Sequence, residues 1–339
     1  MIQKKRVIAL GFFDGIHIGH AALMRRVLEI GEKANLVPSV ITFDTQPQNI
    51  VNDRNIPLIN SPGDRAGLLR RYFGIDDIIF LHFDKATVSM QWDKFIDHLI
   101  DEFGARHLVA GNDFRFGHNG EGSSTLLERK CLESGIGCDI IPDVLYDGIV
   151  SSSTYIRELL SVGDIERANA FLGHPHVLTD VVHYGYKLGR TLGTPTINMR
   201  FPAGVLIPAY GVYATKVYLE DSAADKHDSA EQTGAIKGYD NPEQICAANR
   251  HDNTEQTCAA NGHIGVTNIG IRPTVDDSEL VTAETHILNF QRNLYGRQVR
   301  IELHKRLRPE SKFSDVTELK EQILKDCGEA SEYFADNGR

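Results

Sequence analysis

The stretch Leu10-Gly-Phe-Phe-Asp14-Gly-Ile-His17-Ile-Gly-His20 constrains this chain most. An apolar run, residues 7–10, precedes it and reads as a buried strand. After it, Leu23, Met24, Val27, Leu28 and Ile30 recur at helical spacing. The stretch is therefore a strand, a glycine-rich turn and a helix start. His17 and His20 fall on one face of the first helical turn. The glycine between them lets a ligand come close to the backbone. Unpaired N–H groups and the positive end of the helix dipole point the same way, so the turn suits a polyphosphate.

From here to about residue 143 strand-like and helix-like segments alternate. Residues 40–43, 78–81, 107–110 and 138–141 read as strands, and 91–103 and 124–133 as helices. Alternation of this kind predicts an α/β domain with a mostly parallel sheet. Ligands of such sheets bind at the carboxyl ends of the strands. The opening turn and the loop 111–120 both follow strands, so both can line one cleft. A capped helix start at 150–160 and a short helix at 164–172, ended by Gly173, close a first domain over 1–173.

The pattern then changes. Residues 177–184, 211–219, 263–269, 284–290 and 299–303 read as strands, with helical spacing only at 314–333. This predicts a compact antiparallel β-barrel with a terminal helix, over 174–339. Within it, 222–262 carries a unit that recurs every twelve residues, ending in Cys246-Ala-Ala-Asn and Cys258-Ala-Ala-Asn. The unit has too few large apolar residues for a core and is too short for a solenoid repeat. It reads as an expanded, mobile, non-catalytic hairpin loop, which chain entropy tolerates. Cys246, His251, Cys258 and His263 leave a metal-binding or partner-binding tract as the alternative.

A net charge of -10 over 339 residues argues against a nucleic-acid binder with a broad basic face. Five cysteines, with no pair at zinc-site spacing, suit free thiols in a reducing cytoplasm. Residues 1–6 lead into the first strand without a signal-peptide core, and no apolar run suggests a membrane span. The expectation is a cytoplasmic protein, a monomer or weak homo-oligomer, with no nucleic-acid or membrane partner.

Gly11, Asp14, Gly15 and His17-Ile-Gly-His20 resemble the signature of HxGH nucleotidylyltransferases, and Ser152-Ser-Thr-Tyr-Ile-Arg157 resembles their second signature. Later come Gly189-Arg-Thr-Leu-Gly193-Thr-Pro-Thr-Ile-Asn198, Asn268-Ile-Gly-Ile-Arg-Pro-Thr274, Glu284-Thr-His-Ile-Leu-Asn-Phe290 and Leu294-Tyr-Gly296. In this order the motifs resemble the bacterial bifunctional riboflavin kinase/FAD synthetase family. The resemblance implies a Rossmann-like FMN adenylyltransferase domain followed by a riboflavin kinase barrel. It implies riboflavin, FMN and ATP as substrates and Mg²⁺ as cofactor. Three positions depart from the family pattern: Thr45 and Gln46 stand where Pro and His are usual, and Ile197 where Ala is usual.

The resemblance also implies roles. In the first domain Gly11, Phe12, Asp14, Gly15, His17, His20, Asp113, Ser153, Thr154 and Arg157 would bind ATP. His17 and His20 would be catalytic, donating to phosphate oxygens, with nearby phosphates raising their pKa. Phe114 and Phe116 would flank a flavin, with core packing as the alternative. In the second domain Gly185, Lys187, Gly189, Thr196 and Asn198 would bind ATP, with Arg190 and Gly193 beside them. Thr196 and Asn198 would supply metal oxygens, with a plain turn as the alternative. Glu284 would be the catalytic base, and Arg308 a flavin contact or a surface ion pair. A single-activity enzyme with one degenerate site is the second reading, and a non-catalytic flavin-binding protein the third.

Overall fold

The computed structural model describes residues 4–46, 48–49, 55–82, 89–185, 194–220, 262–272 and 280–337. The repeat segment, Lys187, Gly189, Arg190 and Gly193 lie outside them. The chain divides into two compact units. The first holds Met1–Val177 and Phe201–Tyr210, the second Leu178–Arg200 and Gly211–Arg339. The division thus falls a few residues past the expected boundary, and ten residues from beyond it return to the first unit. Their return is fixed by backbone bonds: Leu58 N donates to Gly204 O at 2.8 Å and Ala209 N to Leu160 O at 3.0 Å.

The first unit is an α/β domain. Strands β1 (Arg6–Leu10), β2 (Val37–Phe43), β3 (Asp77–Leu81), β4 (Ala105–Gly111) and β5 (Gly137–Ile141) form one sheet in the order β3-β2-β1-β4-β5. Every adjacent pair is parallel. Side chains of β1 alternate between two cores, as a strand covered on both faces must. Val7 and Ala9 join Met24 and Val27 of α1 (Ile18–Ala34) and Leu68 and Leu69 of α2 (Pro62–Phe73). Ile8 and Leu10 join Phe95, Ile96 and Leu99 of α3 (Trp92–Asp101) and Leu127 of α4 (Ser124–Glu133). A hairpin of β6 (Leu145–Tyr146) and β7 (Ile149–Val150) leads into α5 (Ser153–Val162) and α6 (Ile165–Leu172). The strand order reverses between β1 and β4, and an open parallel sheet takes its ligand outside such a reversal.

The second unit is an antiparallel barrel with a terminal helix. It contains β8 (His176–Val181), β9 (Thr196–Arg200), β10 (Gly211–Leu219), β11 (His263–Arg272), β12 (Leu280–Ile287) and β13 (Gln298–Arg308). Their order is β8-β13-β10-β11-β12-β9. Just past β8, His183 N donates to Asn198 O at 2.8 Å, bridging back to β9 and joining the two edges of the sheet. Inside, Thr215, Thr267 and Thr285 are fully buried and satisfy one another through hydroxyl bonds of 3.0 and 2.8 Å. Outside, α7 (Val316–Asp336) lays Ala330 on Val212, Ala214 and Val266.

Ile96 is fully buried in the core between β1 and α3. Replacing it by Ala deletes packing on both elements and should cost about 2–5 kcal/mol. Urea denaturation followed through the first unit checks this; a loss below about 0.5 kcal/mol contradicts the core assignment.

Candidate functional sites

The first site grows from the turn after β1. Phe13 (φ 53°), Gly15 (φ 88°) and Ile16 (φ 46°) all have left-handed backbone. Bulky and branched residues rarely accept that conformation, so the surroundings must hold the turn in place. Asp14 does much of this. Its fully buried carboxylate accepts from Ile59 N at 2.9 Å and Asn60 N at 3.3 Å, and pairs with Arg157 Nη2 at 2.7 Å. Arg157 Nε also donates to Pro57 O at 2.9 Å, and Ser153 Oγ donates to Asp14 O at 2.7 Å. From below, His174 Nε2 lies 3.0 Å from Gly15 O.

His17 caps α1 with extended backbone but without a side-chain bond. Its ring stacks on His20 with centroids 3.6 Å apart, and Phe13 meets His20 edge-on at 5.1 Å. Gly19 is required here, because a Cβ would stand 2.9 Å from the His17 ring. Both Nδ1 atoms are buried without a partner. Burial lowers the His17 pKa to about 3, with the positive charges of His174 and Arg157 adding to it. Burial, then His17 and Arg65, push His20 well below its ordinary value. In the protein without nucleotide the two rings are therefore neutral. A neutral ring still carries one donor and one acceptor.

Elsewhere in this unit the expected residues divide. Gly11 and Phe12 line the end of β1, and a Cβ at Gly11 would press on the Phe13 ring at 2.8 Å. Thr154 and Asp113 are exposed, and Asp113 Oδ1 folds back over Gly111. Phe114 and Phe116 stack at 5.4 Å, but Phe116 is 6% exposed and packs on Phe95 at 5.8 Å. Phe116 thus packs in the core, the alternative reading of this pair, and Phe114 is half-buried at the core's edge.

The second site is set by sheet register. Asn198 pairs with Glu284, Glu284 with Asn268, Asn268 with Val212, and Val212 with Arg308. Residues directly opposite in a sheet point to the same side. Five strands thus bring Asn198, Glu284, Asn268 and Arg308 into one row under α7. Two strand positions along, Thr196 pairs with His286 and His286 with Val266, on the same face. Thr196 and Asn198 therefore lie in a strand, not in a turn. A Cβ at Gly185 would collide with the Asn198 carboxamide, so only glycine fits there.

Two cavities have Thr196 in their lining. One, of about 280 Å³, is lined by Glu284, Asn268, Arg308, Glu310, Phe313 and Ile323 among others. The other, of about 370 Å³, is lined by Thr196, Ile197, Phe290, Arg292, Leu294 and Tyr295 among others. Tyr295 stacks on Tyr184 at 4.2 Å. Arg308 lines the smaller cavity and is also in an ion pair, with Nη2 2.9 Å from Asp326 of α7. Thr194, Asn268, Glu310 and Asp326 escaped the sequence reading as site residues. Thr194 and Asn268 lay inside quoted motifs, but nothing in the spacing of α7 marked Asp326. Arg65 of α2, described below, was missed with its whole helix. Among the described residues no group of three or more His, Cys, Asp or Glu could hold a metal.

Residues 1–155 match the FAD synthetase family and residues 172–334 the riboflavin kinase family. A Bacillus subtilis protein, bifunctional riboflavin kinase/FMN adenylyltransferase, is 31% identical, over 98% of this chain and 94% of its own. The chain belongs to this bifunctional family. An Escherichia coli K12 member is also 31% identical, over 98% of this chain and 94% of its own. A crystal structure from Streptococcus pneumoniae, called a macrolide-efflux protein, superposes with TM-score 0.74. It is 25% identical and the likeness covers 95% of this chain and 92% of that one. That name describes the neighbour; among the described residues here, no helix is long and apolar enough to cross a membrane.

The depressed histidines make stability depend on pH. His17 and His176 each stand at about 3, against 6.5 unfolded, and His20 is depressed as well. Above pH 6.5 neither state binds these protons, and the stability is fully present. As pH falls from 6.5 towards 3 the unfolded chain takes them up first, so stability is lost at about 1.4 kcal/mol per pH unit for each ring. Urea midpoints at pH 7.5 and 5.0 should differ accordingly, and His176→Gln should flatten the slope. A slope unchanged by that substitution contradicts the assignment.

Proposed function

We propose that the second unit phosphorylates riboflavin to FMN and the first adenylylates FMN to FAD, each step consuming ATP. The carrying observation is the end-to-end likeness to bifunctional relatives, with each half of the chain matching one of the two families.

In the first unit the FMN phosphate attacks the α-phosphorus of ATP, and pyrophosphate leaves. The nucleophile is already anionic, so the protein's task is positioning and donation to phosphate oxygens. His17 and His20 are neutral donors beside the first turn of α1, whose N–H groups and dipole favour the same charge. Gly11, Phe12 and Gly15 give the triphosphate its backbone approach. Asp14 acts indirectly, by holding Arg157, two of whose nitrogens are committed to the protein. The third faces the leaving pyrophosphate, with Ser153 and Thr154 at the helix start. Asp113 contacts the nucleotide, and Phe114 one face of the flavin.

In the second unit Glu284 takes the proton of the ribityl 5′-hydroxyl as that oxygen attacks the γ-phosphorus. Riboflavin occupies the cavity that contains Glu284, whose walls are largely apolar and whose edge carries Arg308. ATP occupies the larger cavity, between Tyr295 and Arg292. Transfer then takes place near Thr196, which lines both. Thr196 and Asn198 offer hard neutral oxygens, a donor set that fits Mg²⁺ when nucleotide and water complete its shell. Bound there, Mg²⁺ would neutralise phosphate charge. Gly185 leaves room for the Asn198 carboxamide, and Lys187 and Gly189 contact the nucleotide. The free thiols of Cys131, Cys138 and Cys327 suit a cytoplasmic enzyme.

Riboflavin and FMN supplied separately, each with ATP and Mg²⁺, give the test. His20→Ala should keep FMN formation and lose FAD formation by about 10²-fold or more, and Glu284→Gln should do the reverse. EDTA should stop both. Equal loss of both activities in either variant contradicts two independent sites. One product missing from the unaltered protein would make it a single-activity enzyme.

A further inference from the structure

Arg65, on α2, is fully buried. Its Nη1 donates to Phe12 O at 3.0 Å, Thr42 Oγ1 at 3.0 Å and Phe43 O at 2.8 Å. Phe12 follows β1 and Phe43 ends β2, so one group ties together the carboxyl ends of two neighbouring strands. Its guanidinium also lies over the Phe12 ring, 4.6 Å from the centroid. Nε and Nη2 are buried and have no partner. A guanidinium does not lose its proton in a protein, so the charge stays where it is. Burying a charge with idle donors is unfavourable, and the strand ends alone could be tied by a neutral side chain.

Resting on the adenylyltransferase reading, we propose that Arg65 is a positioning residue for adenylyl transfer. It holds the phosphate-binding turn by the Phe12 carbonyl and keeps a fixed positive charge at the carboxyl ends of β1 and β2. The charged and titratable groups around this pair are His17, Asp14 and Asp44, with His174 and Arg157 next to His17. Both carboxylates favour the Arg65 charge, whereas burial opposes it. Burial first, then the charges of His17 and Arg65, keep His20 neutral, so it enters the reaction with one donor and one acceptor. At the same time the charge offsets negative charge that builds on the phosphates in front of the ring. This effect requires a cation; the tie to Phe12 and Phe43 requires only a donor of the right reach.

The two parts separate experimentally. Arg65→Lys keeps the charge and a donor, and Arg65→Met keeps only the bulk. Arg65→Met should lower kcat for FAD formation from FMN by about 10²-fold, with KM for ATP changed less than about threefold. Arg65→Lys should recover at least tenfold of that loss. The His20 ring, followed by its carbon-bound proton in a pH titration by NMR, should titrate higher in Arg65→Met than in Arg65→Lys. Riboflavin phosphorylation by the same polypeptide should be unchanged in both. Arg65→Met within threefold of the unaltered kcat overturns the proposal. So does Arg65→Lys as impaired as Arg65→Met with the same His20 titration, which would make Arg65 a packing residue only. If the unaltered protein forms no FAD, the adenylyltransferase reading has failed instead.

Discussion

The first unit depends on one buried carboxylate. Asp14 stands in a turn whose neighbours Phe13, Gly15 and Ile16 are all left-handed. Such a turn unwinds unless something outside it fixes its shape. The carboxylate supplies this by accepting two backbone N–H groups from residues 59 and 60 and one arm of Arg157. A carboxylate with no exposed surface is tolerable only when its oxygens are so occupied. The consequence is geometric. The turn after β1, the segment before α2 and the start of α5 are three distant parts of the chain, and one side chain locks them together. Removing either partner would strand a buried charge, at about 3–5 kcal/mol.

The second unit reaches its geometry without any such keystone. Its polar row is a product of register. Because β9, β12, β11, β10 and β13 are neighbours, residues far apart in sequence stand side by side on one face. A one-residue slip would send Glu284 to the interior and bring Thr285 out to replace it. The buried threonines guard against this. Thr215, Thr267 and Thr285 satisfy each other inside, and a slip would break that chain of hydroxyls in a dry core. The polar row is thus held in place from its reverse side.

Much of this was legible in the sequence. The apolar run before the glycine-rich turn located β1 and α1, and the change from alternating elements to strands alone separated the two units. The residues 196–200 were harder, because Pro195-Thr-Ile-Asn carries turn formers; only pairing with β12 makes them a strand. Helix α2 escaped because its buried face includes Asp64 and Arg65 as well as Leu68 and Leu69, so apolar spacing under-reports it. Asp326 escaped for a related reason: its burial arises from pairing with Arg308, a contact that no local spacing encodes. In each case the missing information is tertiary. A charged residue looks the same in sequence whether solvent or an opposite charge surrounds it.

That distinction separates the two chemistries as well. Adenylyl transfer begins with an anionic nucleophile, so its site needs no base and can be dry. Burial there leaves His17 and His20 neutral, and the charges of Arg157 and Arg65 act in the same direction. Phosphorylation of a hydroxyl begins with a proton to remove, so its site needs an ionised acceptor. A carboxylate buried as deeply as those rings would tend to bind a proton and cease to be a base. Glu284, the base we propose, is half-buried on the open face of a strand, beside the carboxamides of Asn198 and Asn268. The depth at which each fold places its working side chains therefore follows from the charge with which each substrate arrives.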